Sequence, residues 1–426
     1  MIKFIIDKWL SPYYTFNSNI KYFLFGSVLA QLGMGIFMVM YNLYIRALGY
    51  PEQMNGQIIS FTALASAIIL IPAGFLSDRI GRKKMMVIGL IAVFIILIVR
   101  SIAEQKLILL SFSFLFGLFF AFVQVSIIPF MAENSKKEER VVLFSLNAAI
   151  TMFSVMIGNI IGGFLTDILQ LVFEFSELYA LKITLTMGSI FFFFALIPIF
   201  RIKENRLNSN GKASFSKITY LKNRDQFKVI LKFTIAAMII GLGSGLVIPY
   251  LNLYFRDRFD ASNSSIGIVV SLGQLATAIA MLIGPAIVKR IGEVRSVVFL
   301  QLSSIPFLLL TGFTNIYFLA ATGFLIRQAL MNAGNPIQQS LMMSKIDDNM
   351  KGLANSFSAM VFQLGWAVMG PVSTSIVAKG GSYWGYAIVF SATAVLYIIG
   401  SLYFYWMFGR GKKWDQAPGV HKHGIM

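Results

Sequence analysis

Four amide side chains within residues 316–343 have the types and the spacing needed to bind a solute. They recur at intervals of four, three and four residues, at Gln328, Asn332, Asn335 and Gln339. On an α-helix this spacing places them on one stripe, and an amide in hydrocarbon costs several kcal/mol unless it is paired or hydrated. The pattern therefore predicts a stripe that faces a watery cavity, or otherwise another polar helix.

Arg327 stands beside this stripe, about eleven residues into the segment and therefore roughly 16 Å deep in a membrane at 1.5 Å per residue. Its guanidinium keeps its charge and could hold a carboxylate or phosphate through two parallel hydrogen bonds. The alternative is an arginine satisfied by carbonyl and amide groups of the protein itself. We expect a substrate residue, because ionisable groups at this depth usually serve function.

Other kinds of chemistry lack the residues they need. The chain contains no cysteine, and its two histidines, His421 and His423, fall in the last six residues, a tail to which we assign no role. This excludes disulfides, thiolate catalysis, Cys-ligated zinc and histidine-based triads. Nucleotide-binding Gly-x4-Gly-Lys motifs and Gly-x-Ser-x-Gly elbows are absent as well. We therefore predict no enzyme activity, no cofactor and no metal site.

Acidic residues are absent from the centres of the apolar segments. A proton-coupled carrier usually needs a titrating group there, because burial and substrate then compete for its charge. Asp78 and Glu133, at the ends of two segments, are the nearest candidates. Coupling to protons therefore stays open at this point.

The composition identifies the environment in which these residues act. Of 426 residues, 57% are hydrophobic and 13% are charged, whereas a soluble domain carries about 25% charged residues. Length alone would allow two or three soluble domains, but their surfaces would lack a polar coat. The chain is expected to lie in a lipid bilayer.

Apolar runs long enough to cross a bilayer core, about 20 residues of helix, recur along the whole chain. A break is counted wherever charges or Gly, Pro and Asn clusters intervene. The runs are 20–44, 55–77, 85–103, 107–131, 141–165, 179–200, 230–255, 264–288, 296–313, 316–343, 353–378 and 384–408. The predicted fold is an all-α membrane protein with twelve transmembrane helices.

The basic residues predict the orientation, because short loops rich in Lys and Arg stay in the cytoplasm. With the N-terminus inside, 28 of the 36 Lys and Arg fall on the cytoplasmic side, while seven, Arg100 among them, fall outside. Both termini are then cytoplasmic, and the net charge of +18 is a membrane-orientation signal. Apart from lipid, the expected partner is a small molecule and not a nucleic acid, and we expect a monomer.

The chain divides into two similar halves. Residues 42–46, Asn-Leu-Tyr-Ile-Arg, reappear at 252–256 as Asn-Leu-Tyr-Phe-Arg, and Arg-Ile-Gly at 79–81 reappears at 290–292, so the offset is 210 and then 211 residues. Parallel six-helix repeats build many secondary transporters, whose substrate site lies between the halves. We predict a pseudo-symmetric pair of six-helix bundles, with these divisions: bundle 1–200, basic cytoplasmic linker 201–229, bundle 230–409 and cytoplasmic tail 410–426.

The loop after the second run, Gly-Phe-Leu-Ser-Asp-Arg-Ile-Gly-Arg-Lys-Lys at 74–84, resembles the signature loop of the major facilitator superfamily. Physically, Gly74 would let two helices approach closely, and the carboxylate of Asp78 could cap a facing helix N-terminus. The resemblance implies that this helix begins near residues 352–354, and that Arg82 pairs with an acid ending the fourth span. Such contacts would latch the halves in an outward-open state. The expected latch residues are Gly74, Asp78, Arg79, Gly81, Arg82, Lys83 and Glu133.

Further polar residues are expected to face the same cavity. Gln31 and Asn42 lie on one stripe of the first span, Asn252 lies on the matching stripe of the seventh, and Gln124 is the strong polar group of the fourth. In the superfamily that the loop resembles, the first and seventh spans face the centre. The predicted cavity residues are Gln31, Asn42, Gln124, Asn252, Arg327, Gln328, Asn332, Asn335 and Gln339.

The fifth span carries a glycine-rich segment, Gly158-Asn159-Ile160-Ile161-Gly162-Gly163. It is similar to the antiporter motif Gly-Pro-x-x-Gly-Gly of the same superfamily, with Asn159 in place of proline. The resemblance favours export over uptake, while close-packed glycines also serve any pair of rocking helices. The antiporter-like residues are Gly158, Asn159, Gly162 and Gly163.

Together these patterns predict a carrier that moves a small organic solute outward across a bacterial plasma membrane by alternating access. One alternative is a facilitator or importer of an organic anion held by Arg327. An alternative of another class is a membrane receptor or scaffold that transports nothing. A receptor would be expected to carry a large extramembrane domain, and the sequence shows none.

Overall fold

The computed structural model describes residues 16–136, 139–203, 224–346 and 350–409, and every regular element within these ranges is helical. The α-helices are α1 Ser18–Ala47, α2 Glu52–Ile80, α3 Arg82–Ile102, α4 Lys106–Glu133, α5 Arg140–Leu171, α6 Glu177–Arg201, α7 Arg224–Val247, α8 Leu251–Phe259, α9 Asn263–Ile291, α10 Glu293–Ser303, α11 Ile305–Phe313, α12 Tyr317–Ser344, α13 Lys351–Gly380 and α14 Tyr386–Phe408. Linker residues 204–223 and the tail from 410, with His421 and His423, lie outside the described residues.

The described helices account for each of the twelve predicted apolar runs. Ten stretches are long and apolar enough to cross a membrane by length and composition. One of these, Leu353–Phe408, contains two predicted runs, because a π-helical turn at Gly381–Gly385 connects α13 directly to α14. α12 is not among the ten, since Arg327 and the amide stripe lower its hydropathy. The all-α membrane fold is confirmed.

Proline divides two of the runs that the sequence predicts as single helices. Run 230–255 becomes α7 and α8, separated by a 3₁₀ turn that contains Pro249, and run 296–313 becomes α10 and α11, with Pro306 at the start of α11. Proline has no backbone N–H and its ring clashes with the preceding turn. A second difference is that the described part of α7 already includes Arg224, within the predicted linker.

Two glycines mark equivalent turns in the two halves. Gly81 separates α2 from α3 with φ +107°, and Gly292 separates α9 from α10 with φ +83°. Their N–H groups donate to the carbonyls of Ser77 and Val288, four residues earlier in each case. Glycine adopts this left-handed region without steric penalty. The repeated turn supports the internal duplication inferred from the sequence.

The two halves meet along two helix pairs, α2 with α13 and α5 with α9. Within the first half, α1 packs against both α5 and α6. Small residues allow this closeness, since a Cβ at Gly35 would stand 3.0 Å from Gly158 Cα on α5. We name the end that holds the basic loops 78–84 and 289–295 the basic end, and the other the opposite end.

Candidate functional site

A pair of asparagines joins the two halves at the opposite end. Asn42 Nδ2 donates to the carbonyl oxygen of Pro249 at 2.6 Å, and Asn252 Nδ2 donates to the carbonyl oxygen of Val39, also at 2.6 Å. Asn42 Nδ2 additionally donates to Asn252 Oδ1 at 3.1 Å. The sequence offset of 210 relates Val39 to Pro249 and Asn42 to Asn252. The two halves therefore donate equivalent hydrogen bonds to each other.

Two ion pairs between the halves surround the asparagines. Arg46 forms a salt bridge with Asp257, whose carboxylate also accepts a hydrogen bond from Tyr386 Oη at 2.8 Å. Arg256 Nη2 lies 2.6 Å from Glu177 Oε1. The two arginines that the duplication relates thus each bind an acid of the opposing half. We name these two ion pairs and the asparagine pair the seal.

Glycines allow the helix pairs between the halves to touch next to the seal. A Cβ at Gly56 on α2 would stand 2.8 Å from the carbonyl oxygen of Gly370 on α13. A Cβ at Gly267 on α9 would stand 2.6 Å from the carbonyl oxygen of Asn159 on α5. The offset of 211 relates both members of one contact to those of the other. We name these two contacts the glycine seam.

The antiporter-like segment lies in and beside this seam. Its Asn159 is fully buried, and neither polar atom of the side chain has a hydrogen-bond partner within the described structure. A Cβ at Gly163 would stand 3.0 Å from Ser264 Cα on α9. Gly158 and Gly162 face α1 instead, where a Cβ would stand 3.1 Å from Gly35 Cα and 3.3 Å from Ile36 Cα respectively.

α5 and α9 are also joined by a capping contact across the halves. Asp167 Oδ1 accepts from Asn263 Nδ2, and Asp167 Oδ2 accepts from the backbone N–H of Ser264, both at 2.8 Å. A carboxylate at the N-terminus of a helix is stabilised by the helix dipole. This contact holds the first turn of α9 against the first half.

Beneath the seal lies a cavity of about 310 Å³ that both halves line. Aromatic and aliphatic side chains form much of its wall, and polar side chains stand between them, as in many sites for organic molecules. The aromatic lining residues are Phe37, Tyr41, Phe116, Phe120, Phe324 and Trp366. The polar ones are Asn42, Thr62, Ser66, Gln124, Asn252, Gln274, Gln328 and Gln363. Arg100 is the one charged residue in the lining formed by the described part of the chain.

Four of the predicted cavity residues line this cavity, namely Asn42, Gln124, Asn252 and Gln328. Further along the stripe, Asn335 is exposed and donates to Asn332 Oδ1 at 3.3 Å, while Gln339 donates to Asn355 Oδ1 on α13 at 3.4 Å. Gln31 is half-buried in α1. The part of the stripe nearer the basic end thus bonds with itself and with a neighbouring helix.

Arg327 is buried against α14 and is not among the described residues that line the cavity. Only 3% of it is exposed. Its Nη1 donates to Gln328 Oε1 at 2.9 Å and its Nη2 donates to Tyr397 Oη at 2.6 Å. These are the protein partners that the alternative interpretation of Arg327 required. Because Gln328 does line the cavity, Arg327 positions a wall residue from behind.

Arg100 is the cavity residue that the sequence interpretation missed. The orientation count assigned it to the outer face, yet it is 5% exposed and lies in the last turn of α3. Its guanidinium carbon stands 4.0 Å from the ring centroid of Tyr41 and 4.9 Å from that of Phe116. The signal was present in the sequence, because Arg100 falls inside the predicted run 85–103.

At the basic end, the described contacts of the expected latch residues lie within the first half. Arg82 Nε lies 3.1 Å from Glu133 Oε1, and Arg82 Nη1 donates to Ser77 Oγ at 3.1 Å. Gly74 has open space beside it, since no described atom beyond its own stretch of α2 lies within 4 Å of where its Cβ would stand. Arg79 is exposed, Lys83 is half-buried, and the side chain of Asp78 lies outside the described residues.

Comparison with known proteins gives one family match. The family model for the Major Facilitator Superfamily matches residues 23–368 and 233–423. The chain is 26% identical over 398 residues to the multidrug resistance protein MdtG of Proteus mirabilis, covering 91% of this chain and 95% of that protein. It is 23% identical over 301 residues to the quinolone resistance protein NorA of Staphylococcus aureus, covering 70% of this chain and 74% of that one.

Solved structures share the fold at low sequence identity. The nucleoside transporter NupG superposes with a TM-score of 0.73 at 14% identity, over 92% of this chain and 100% of that one. A bacterial homologue of the human lysosomal transporter Spinster, inward-facing and unoccupied, superposes with a TM-score of 0.75 at 13% identity, over 94% of this chain and 98% of that one.

Proposed function

Because this chain belongs to the major facilitator superfamily, we propose that it exports a small organic solute across a bacterial plasma membrane by alternating access of one central cavity. It is a multi-pass membrane protein and a secondary transporter. The proposal adds the direction of transport, the cargo and the orientation in the membrane.

The observation that carries the proposal is the cavity shared by two half-molecules beneath a seal. Its walls come from both halves, while the seal and the glycine seam join the halves on one side of it. Rocking the halves would break the seal and bring the surfaces around Gly74 together at the basic end. Alternating access needs this arrangement, with one site and two ends that close in turn.

Export is favoured by the kinds of relatives and by the segment at Gly158–Gly163. MdtG and NorA are named for resistance to multiple drugs and to quinolones, and both match most of this chain. A resistance transporter lowers the internal concentration of a drug. A cavity with six aromatic rings and several amides suits flat organic molecules of this type.

The basic end is assigned to the cytoplasm, since short Lys- and Arg-rich loops stay inside. The seal then faces outward, and the structure is the state closed to the outside. The latch expected from the 74–84 loop would close the basic end in the other state, and the ion pair of Arg82 with Glu133, formed here within the first half, would stand beside it. The two six-helix domains, the cytoplasmic termini and a monomer are part of the same proposal.

A reversible covalent lock tests alternating access. The chain has no cysteine, so Asn42→Cys with Asn252→Cys introduces a single pair, at side chains that touch across the seal. In proteoliposomes, oxidation should stop transport of a fluorescent quinolone, and a reductant should restore it. The matched control is Glu104→Cys with Lys182→Cys, which replaces a salt bridge at the same end but within one half.

Oxidising the control pair should leave transport unchanged. Continued transport through the oxidised Asn42→Cys/Asn252→Cys protein would exclude alternating access across the seal.

Transport measured in inverted and in right-side-out vesicles distinguishes export from the second candidate function, which is facilitated movement of an organic anion. That candidate is favoured by the lack of an acidic side chain in the described cavity lining. Movement down the gradient in both vesicle types, at equal rates, would select it.

A further inference from the structure

Two buried hydrogen-bond donors in the first-half wall of the cavity have no acceptor. Arg100 and Tyr41 are each 5% exposed, and both line the cavity. Within the described structure, Arg100 Nε and Tyr41 Oη lack a hydrogen-bond partner. Buried polar groups are normally paired, because an unpaired one loses its hydration without return. These two neighbouring donors on one wall are therefore open to an acceptor supplied by a bound solute.

Within the described structure, the partners of the Arg100 guanidinium are aromatic rings. Its guanidinium carbon lies 4.0 Å from the Tyr41 ring centroid and 4.9 Å from that of Phe116. Cation–π contacts recover part of the desolvation cost of a buried cation, but a carboxylate would recover more. The described lining contains no Asp or Glu that could serve. The described lining thus presents one positive charge without an acidic partner.

Two other effects could place an arginine at this position, but they explain only part of the arrangement of Arg100 and Tyr41. An arginine in the last turn of a helix is favoured by the helix dipole, and arginines near a membrane surface extend their heads toward water. The helix dipole also acts at partly buried positions, but neither effect gives Arg100 Nε a hydrogen-bond partner within the described structure. Neither explains why the Tyr41 hydroxyl, beside it, is also left without a partner.

We infer that Arg100 and Tyr41 bind the carboxylate of an amphipathic organic anion whose apolar body lies against the rings across the cavity. The guanidinium can donate two parallel hydrogen bonds to a carboxylate, and the phenol a third. Phe120, Phe324 and Trp366 line the same cavity and could pack against an aromatic body. This inference rests on the proposed transport function and names its cargo class.

Three shape-matched probes test the charge preference: 2-naphthoate, neutral 2-naphthamide and the 2-naphthylmethylammonium cation. Their binding to the purified full-length protein in lipid nanodiscs is measured by calorimetry. The wild type should bind the anion about tenfold more tightly than the amide, since a hydrogen bond to a charged group contributes roughly that factor. The cation should bind more weakly than both, because the described lining offers it no acid.

Variants then assign the preference to the two donors. Arg100→Gln should weaken anion binding by about tenfold and leave amide binding unchanged. Tyr41→Phe keeps the ring beneath Arg100 and removes the hydroxyl, so it should weaken anion binding alone, even if Arg100→Gln misfolds. Arg258→Gln is the matched control. The guanidinium carbon of Arg258 lies 4.1 Å from the Tyr383 ring centroid, a cation–π distance like that of Arg100, and Arg258 is not among the described residues that line the cavity.

The outcomes separate this inference from the proposed function. Equal binding of anion and amide by the wild type, or an anion preference that survives both Arg100→Gln and Tyr41→Phe, overturns the inference while the covalent-lock experiment can still support transport. An equal loss in Arg258→Gln would mean a general structural effect and would also overturn it. If no probe binds, and the Asn42→Cys/Asn252→Cys protein shows no transport even when it is reduced, the proposed function fails as well.

Discussion

At the scale of single residues, two arginines are buried within the described chain, and they differ in their partners. Arg327 is held by Tyr397 and Gln328, while Arg100 has aromatic rings and an open cavity. The sequence predicted Arg327 as a cavity residue and Arg100 as a residue of the outer face, because the depth of a residue in a span can be counted along the chain. A partner such as Tyr397, 70 residues away, cannot be counted in this way.

Tyr397→Phe should lower the free energy of unfolding by about 1.5–3 kcal/mol, because it leaves the buried Arg327 Nη2 without its acceptor. The measurement is denaturant titration of the purified protein in detergent. Tyr405→Phe on the same helix is the control; Tyr405 is 40% exposed, so its change should stay within about 0.5 kcal/mol. Arg327→Gln combined with Tyr397→Phe should cost less than the sum of the single changes. Strict additivity would contradict the pairing and return Arg327 to the substrate site.

At the scale of helices, the glycine seam sets how closely the halves approach. The sequence predicted both the helices and their order, since apolar length and loop charge are local properties. It also related Gly56 to Gly267, yet it could not show that each touches the other half. That contact depends on the angle between helices far apart in the chain. The broken helices at Pro249 and Pro306 were missed because run length was weighed above the effect of a single proline.

Gly267→Ala should open the opposite end. Its Cβ would stand 2.6 Å from a backbone oxygen of Asn159 that cannot move without shifting α5. Such overpacking costs about 1–3 kcal/mol, so the sealed state should become less populated by about fivefold or more. The readout is labelling of Gln363→Cys, a single cysteine on the cavity wall, by an impermeant maleimide added outside right-side-out vesicles.

Gly334→Ala provides the control for this substitution. The nearest atom to its Cβ would be 3.8 Å away, in ordinary contact, so labelling should match that of the parent protein. If Gly267→Ala labels no faster than Gly334→Ala, the seam does not limit opening.

At the scale of the whole molecule, the polar bonds described between the halves cluster at the opposite end, whereas Gly74 at the basic end has open space beside it. The resemblance of the 74–84 loop identified the superfamily correctly, and twelve spans with an internal repeat followed from the sequence. The sequence could not predict which end of the molecule is closed, because the same sequence must close each end in turn. Only the structure shows at which end the halves are joined.

Removing the Arg46–Asp257 salt bridge should shift the molecule toward the state open at the opposite end. Arg46 is 42% exposed at its side chain, so screening limits the bridge to about 1 kcal/mol, or about fivefold in population. Spin labels at Lys106→Cys and Ser382→Cys, exposed positions on different halves, report the separation by pulsed electron resonance. Asp257→Asn should enlarge the long-distance fraction, and adding Arg46→Gln should change it little further.

The control is Glu104→Gln, which breaks a salt bridge at the same end within one half and should leave the distances as they are. A distance shift in Glu104→Gln equal to that in Asp257→Asn would mean that general loss of charge, and not the seal, controls the equilibrium.

The 3₁₀ turn at Ile248–Tyr250 makes the two halves mechanically unequal. α1 runs unbroken past Asn42, whereas its counterpart is split, and Asn252 with Arg256 and Asp257 sits on α8, a piece of nine residues. Because the turn at Pro249 interrupts the backbone hydrogen bonds between the two pieces, we expect α8 to move separately from the long helix α7. Water could then reach the cavity before either bundle turns, so hydration of the cargo and its departure can be separate events in time.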